Sequence, residues 1–161
     1  MLDVIRGLGR QPEEVSHILI THGHIDHTGS LALLRKATGA KVCAGAQDRD
    51  FIEGRQKTWT MAREGLGGKL FKIALYLMET VFFKYEPAAL DTALTGDTAL
   101  SLPGVAVQAL ATPGHSPGSI SYRLPDKNII FTGDALTGVP KPGLPPRPGC
   151  ADYAQALASA K

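Results

Sequence analysis

The sequence predicts an α/β fold, and three observations carry that expectation. Strand-length apolar runs alternate with helically spaced segments from His17 to Ile52. Short β-type runs separated by Gly and Pro turns fill Ala89 to Thr132. A histidine-rich loop, His22-Gly23-His24-Ile25-Asp26-His27, leaves the first apolar run just before a helical pattern begins.

The elements follow in order. Leu2 to Leu8 has helical spacing and stops at Gly9, and Pro12-Glu13-Glu14 punctuates the entry to the next element. His17 to Thr21 reads as a buried strand. Ser30 to Thr38 reads as a helix ended by Gly39, whose lack of a Cβ suits a C-terminal cap. Lys41 to Ala44 is a short strand holding Cys43, and Gln47 to Ile52 a helical turn or two. Leu90 to Leu94, Ala99 to Leu102 and Val105 to Ala111 are strands divided by turns at Gly96-Asp97 and Pro103-Gly104. Ser119 to Leu124 and Asn128 to Thr132 form a hairpin around Pro125-Asp126-Lys127. A Pro/Gly-rich loop, Gly138 to Gly149, precedes a helix from Ala151. No internal repeat is visible.

Leu66 to Tyr85 stands apart. Ile73 to Met78 is unbroken apolar sequence, Val81, Phe82 and Phe83 follow, and Lys69, Lys72, Glu79 and Lys84 interrupt the stretch. Its apolar runs fall far below the roughly 18 residues that span a bilayer, so no transmembrane segment is expected. The segment is read as a helix covered by the domain's own core, with a lid over a site, a dimer contact or peripheral membrane contact as the other readings.

The 161 residues fit one domain, 1–161, with a helical lid insertion at 54–86 as the candidate elaboration. Seventeen basic against fifteen acidic residues leave a net charge of +2, and no basic stripe with interleaved aromatics is present. Nucleic acid is therefore not an expected partner. Two cysteines, Cys43 and Cys150, are too few for a disulfide framework or a cysteine-based zinc site. The opening residues lack an apolar h-region, so no secretory signal and a cytoplasmic location are expected.

Chemistry concentrates in three segments. Alternate residues of an extended chain face one side, so His22 and His24 can share one metal ion. Asp26 and His27 lie where the chain turns and can serve a second ion. In Thr112-Pro113-Gly114-His115-Ser116-Pro117-Gly118, Pro and Gly stiffen the backbone, so His115 is expected to be presented rigidly rather than packed. Ile129-Ile130-Phe131-Thr132-Gly133-Asp134 ends an apolar strand in an aspartate. Taken singly, His115 reads more readily as a turn residue and Asp134 as a cap.

Together, THGHIDHTG, TPGHSPGS and FTGDAL resemble the metallo-β-lactamase superfamily, in its hydrolase branch related to glyoxalase II. The resemblance spans His17 to Leu136 and implies an αββα sandwich with its site at the strand ends of one edge. It implies that His22, His24 and His115 bind a first zinc, that Asp26 and His27 bind a second, and that Asp134 bridges the two. Three neutral imidazoles leave one tetrahedral position on zinc for water, whose pKa can fall to about 7. The implied activity is hydrolysis of an activated ester, thioester or lactone by a zinc-bound hydroxide, with Asp26 as the catalytic group that orients the hydroxide and moves a proton. The implied partner is a small-molecule substrate.

The chain also departs from that pattern. The family carries a histidine on a loop beyond the bridging aspartate, whereas no histidine follows His115 here, and the front end opens on a connecting helix. The resemblance therefore implies a partial domain, whose first metal site is complete and whose second binds weakly or not at all. Unpaired sheet edges in such a domain invite a homodimer through an edge or through 66–85. Two other readings stand beside the hydrolase. One is a mononuclear-iron, persulfide dioxygenase-like enzyme using His22, His115 and Asp134. The other is a truncated chain that binds metal without turnover. Flavin-linked di-iron relatives carry glutamate at the position of His24 and are disfavoured. Lys141 and Arg147 read as solvated loop charges, or as an attraction for an anionic group.

Overall fold

A computed structural model describes residues 1–57, 66–77, 86–138 and 141–161. Its architecture is two sheets face to face, with helices on the outer face of the first. Helix α1, Leu2–Gly7, leads through a 3-10 turn at Pro12–Glu14 to strand β1, His17–Leu19. After the histidine loop come α2, Ile25–Thr28, α3, Leu31–Thr38, and β2, Lys41–Gly45. A 3-10 turn at Ala46–Asp48, α4, Arg49–Ile52, α5, Leu66–Leu77, and β3, Thr92–Leu94, complete the front half.

The first sheet is parallel, in the order β1-β2-β3, with Ile18 opposite Val42 and Ala44 opposite Ala93. Parallel neighbours need a crossover. Helix α3 supplies the one between β1 and β2, and Gly39 closes it at φ 70°, as the sequence predicts. The second sheet is antiparallel: β4, Thr98–Leu102, β5, Val105–Ala111, β6, Ile120–Leu124, and β7, Ile129–Phe131. A 3-10 turn at Pro125–Lys127, with Asn128 left-handed at φ 51°, makes the β6–β7 hairpin. Helix α6, Tyr153–Ser159, ends the chain.

Two buried clusters hold these layers. Val42 and Ala44 point from β2 to the helical face and meet Leu31, Ile52, Ala88, Leu90 and Ile20. On the other face, Leu94, Val107, Ala109, Ile120 and Tyr122 form the seam between the sheets, with Leu19 packed against it. Strand alternation divides β1 between the two cores, Ile18 packing against the first and Leu19 against the second. Tyr122 stitches the sheets by donating its hydroxyl to the Ile20 carbonyl at 3.0 Å.

Several expectations need adjustment. Strand β1 is half-buried rather than buried, because β2 is its only partner among the described residues. Apolar β7 is exposed along its length, since it too lies at an edge. Of the stretch Leu66 to Tyr85, α5 is described and lies against the turn at Arg147–Gly149, with Leu70 and Ile73 exposed. Residues 58–65 and 78–85 of the candidate lid at 54–86, Val81, Phe82 and Phe83 among them, lie outside the described residues, as do positions 139 and 140 of the Pro/Gly-rich loop. No helix among the described residues is long and apolar enough to cross a membrane.

Candidate metal centre

The first histidine segment is shaped by its own helix start. His24 is extended, at φ −68° and ψ 150°, and its carbonyl accepts from the amides of His27 and Thr28 and from the Thr28 hydroxyl. Buried Ile25 anchors the turn. His22 and His24 therefore stay inside, while Asp26 and His27 ride on α2 at the rim.

The second segment is held from both sides. The amide of Thr112 donates to the Ser119 carbonyl at 2.9 Å, closing the loop's neck. The C-terminal segment then clasps it: Ala151 and Asp152 donate to the carbonyls of His115 and Gly114, and the Ser159 hydroxyl donates to that of Pro113. Gly114 adopts φ 134°, and an added Cβ would collide with the backbone of Ala156. His115 is consequently packed and only 6% exposed, where the sequence suggested presentation without packing. The conformational stiffness was legible; the clasp that holds the loop's backbone comes from residues far along the chain.

The rings of His22, His24 and His115 lie 4.7–4.8 Å apart, pairwise near-perpendicular at 83–89°. One ligating atom from each falls within 4.8 Å of the others. A second group, His22, His27 and Asp134, meets the same limit. Asp134 stands between the two: one carboxylate oxygen is 3.4 Å from His27 Nε2 and the other 3.5 Å from His115 Nε2. Its carrier is a 3-10 turn, Gly133–Ala135, immediately after β7. Asp26 contributes less closely, its carboxylate 3.6 Å from His27 Nε2 and its side chain 66% exposed.

Electrostatics divide the imidazoles. Burial, then the neighbouring rings, lowers His22 to about 2 and His24 to about 3. Burial lowers His115 as well. His27 moves up instead, chiefly through its hydrogen bond with Asp134, and the same bond lowers Asp134 to about 2. The deep imidazoles are thus neutral at pH 7, the form that ligates a metal.

These residues fit a metal ion. His22 Nδ1 meets the Thr21 hydroxyl at 3.3 Å, whereas its Nε2 is buried without a hydrogen-bond partner. A buried imidazole nitrogen with nothing to bond is costly unless something outside the polypeptide satisfies it. A soft–borderline all-nitrogen trio, with an adjoining His–carboxylate group, suits a divalent transition metal.

One residue of this region escaped the sequence reading. Asp48 is fully buried, and its carboxylate accepts from the Gly23 amide at 2.8 Å, the Gly118 amide at 2.7 Å and the Ser116 hydroxyl at 2.6 Å. The only signal was its place at a strand end, in Gln47-Asp48-Arg49, which reads as an ordinary helix start.

The model of the metallo-beta-lactamase superfamily matches residues 2–160. A probable metallo-hydrolase, YqgX of Bacillus subtilis, is 31% identical over 119 residues, covering 74% of this chain and 48% of the relative. A hydroxyacylglutathione hydrolase of Pseudomonas putida is 34% identical over 136 residues, covering 83% of this chain and 38% of the relative. The chain thus spans half or less of the length of these two relatives. Among solved structures, BJP-1, a subclass B3 metallo-beta-lactamase of Bradyrhizobium japonicum, superposes with a TM-score of 0.66 at 25% identity, over 98% of this chain and 55% of that one.

Proposed function

The chain belongs to the metallo-beta-lactamase superfamily, and from that premise we propose that it carries the metal-binding half of a hydrolase acting on an activated acyl compound. The favoured substrate class is a thioester of the kind that the Pseudomonas putida relative's name points to, with simple esters and lactones as neighbours in chemistry. The observation that carries the reading is the convergence of three buried, neutral imidazoles, one with an orphaned Nε2.

His22, His24 and His115 would hold the first ion, and His27, Asp134 and Asp26 would serve the second position. Zinc is the favoured identity, and when bound it supplies Lewis acidity and makes water acidic enough to ionise near neutral pH. The residues themselves do the rest. The deep imidazoles orient the site and exclude bulk water. The hydrogen bond to Asp134 aligns His27 and favours the ring's protonated form. Asp26, exposed at the rim, would accept a proton from water and release it toward a leaving group.

A second reading has its own observation. Asp134 lies near His115 and shares a ligand group with His22, so two histidines and one carboxylate are also available as a facial triad for iron. Elemental analysis of protein purified without chelator, paired with hydrolysis of an S-acyl glutathione, tests both. Zinc together with turnover that disappears in His24→Ala is the expected result. Iron with oxygen uptake on a persulfide would put the dioxygenase first, and no metal in folded protein would sink both.

A further inference from the structure

Asp48 lies on neither metal group, yet it touches both loops that carry the first one. Its Oδ2 takes the Gly23 amide, between His22 and His24, and the Ser116 hydroxyl, next to His115. Its Oδ1 takes the Gly118 amide of the same second loop. The Ser116 hydroxyl is itself fixed 2.8 Å from the Ser119 hydroxyl. Gly118 sits so close that an added Cβ would strike the Asp48 backbone and carboxyl group, so the contact has no slack. No lysine or arginine among the described residues pairs with this carboxylate. Burial pushes its pKa up, against the lowering by its hydrogen bonds with Ser116, Gly23 and Gly118.

We propose that Asp48 is the positioning residue of the first metal site, a buried strut that sets the spacing of the His22–His24 and His115 loops and supplies the negative charge that a cation there would balance. The inference rests on the metal-site reading given above. Three donors aimed at two oxygens require an acceptor, and a carboxylate meets that demand where an amide cannot, because its NH2 would face a donor. A buried anion without a cation nearby is unfavourable by itself. A dication held behind two short loops relieves it, so fold and metal affinity are coupled through this one side chain.

The test is zinc affinity, measured by competition with a chromophoric chelator on the full chain, beside thermal melting of the metal-free protein and the absorption spectrum of its cobalt(II) form. Asp48→Asn is expected to weaken zinc binding by about tenfold to 100-fold and to alter the cobalt bands, as loss of an outer-shell partner does. If Asp48→Asn melts lower but binds zinc as the wild type does, its role is structural and the proposal fails. Should Asp48→Asn not fold, Ser116→Ala decides, since it removes one donor and leaves the charge. An affinity loss of about threefold or more in that variant supports the strut, and an unchanged value overturns it. A wild-type chain that takes up no zinc overturns the metal site together with the proposal, whereas equal affinities of wild type and variant overturn the Asp48 role alone.

Discussion

Nε2 of His115 lies 2.9 Å from Nδ1 of His24, although 91 residues separate the two in the chain. Two neutral imidazoles at that distance share a single proton between nitrogens, so one must donate and the other accept. A metal removes the need for that arrangement by taking both lone pairs. The edge of a tetrahedral site with bonds of about 2.0–2.1 Å is some tenths of an ångström longer than this contact, so the loops need only a small separation to ligate.

The same burial sets a pH dependence for the metal-free chain. His22 and His24 have folded-state values of about 2 and about 3, below the ordinary 6.5. The unfolded chain therefore takes up protons first as pH falls, and stability is lost progressively from about pH 6.5 downward. Asp134, lowered to about 2 from 3.8, adds a loss in the same direction at more acid pH. The urea midpoint of the metal-stripped protein is expected to fall between neutral pH and about pH 4, and His24→Gln to flatten the fall. A midpoint indifferent to pH across that window would count against the buried neutral trio.

His27 behaves oppositely. Its bond to Asp134 raises its pKa, so the stability it contributes is full below the unfolded value and is lost as pH rises through the folded one. Proton NMR titration of the metal-free chain should place His27 above the ordinary range, and Asp134→Asn should bring it down. A His27 midpoint unmoved by that substitution would mean that the pair is not formed in solution.

Tyr122 links the two sheets through the Ile20 carbonyl, with both residues buried. Burial also raises the phenol's pKa, so the hydroxyl remains a donor well above neutral pH. Tyr122→Phe leaves that carbonyl short of a partner and is expected to cost about 1–3 kcal/mol in chemical denaturation. Loss well under that range would indicate that water replaces the hydroxyl.

Gly114 precedes His115 at a φ that side-chain-bearing residues rarely adopt, directly against Ala156 of α6. Gly114→Ala combines backbone strain with a collision, and a destabilisation of about 2 kcal/mol or more is expected. Because α6 and its leading segment clasp the His115 loop, zinc affinity should fall with it. A variant as stable as wild type would show that the clasp yields easily.

What the sequence determined by itself was local. The H-x-H-x-D-H run after a strand, the Pro/Gly-stiffened His115 loop and the strand-end Asp134 were readable because each is a short pattern with a short-range physical cause. The strands and the α3 crossover were readable for the same reason, since alternation, helical spacing and the Gly39 stop are properties of neighbouring residues. Tertiary structure alone decided the rest. Strand pairing across the chain brought His115 to His24, the segment around Asp152 clasped the backbone of the His115 loop, and edge positions left β1 half-covered and β7 open. Asp48 is the sharpest case: nothing in its neighbourhood marks it, because its three donors come from residues 25, 68 and 70 positions away. A buried carboxylate is specified by what surrounds it in space, and that surrounding exists only once both loops have docked.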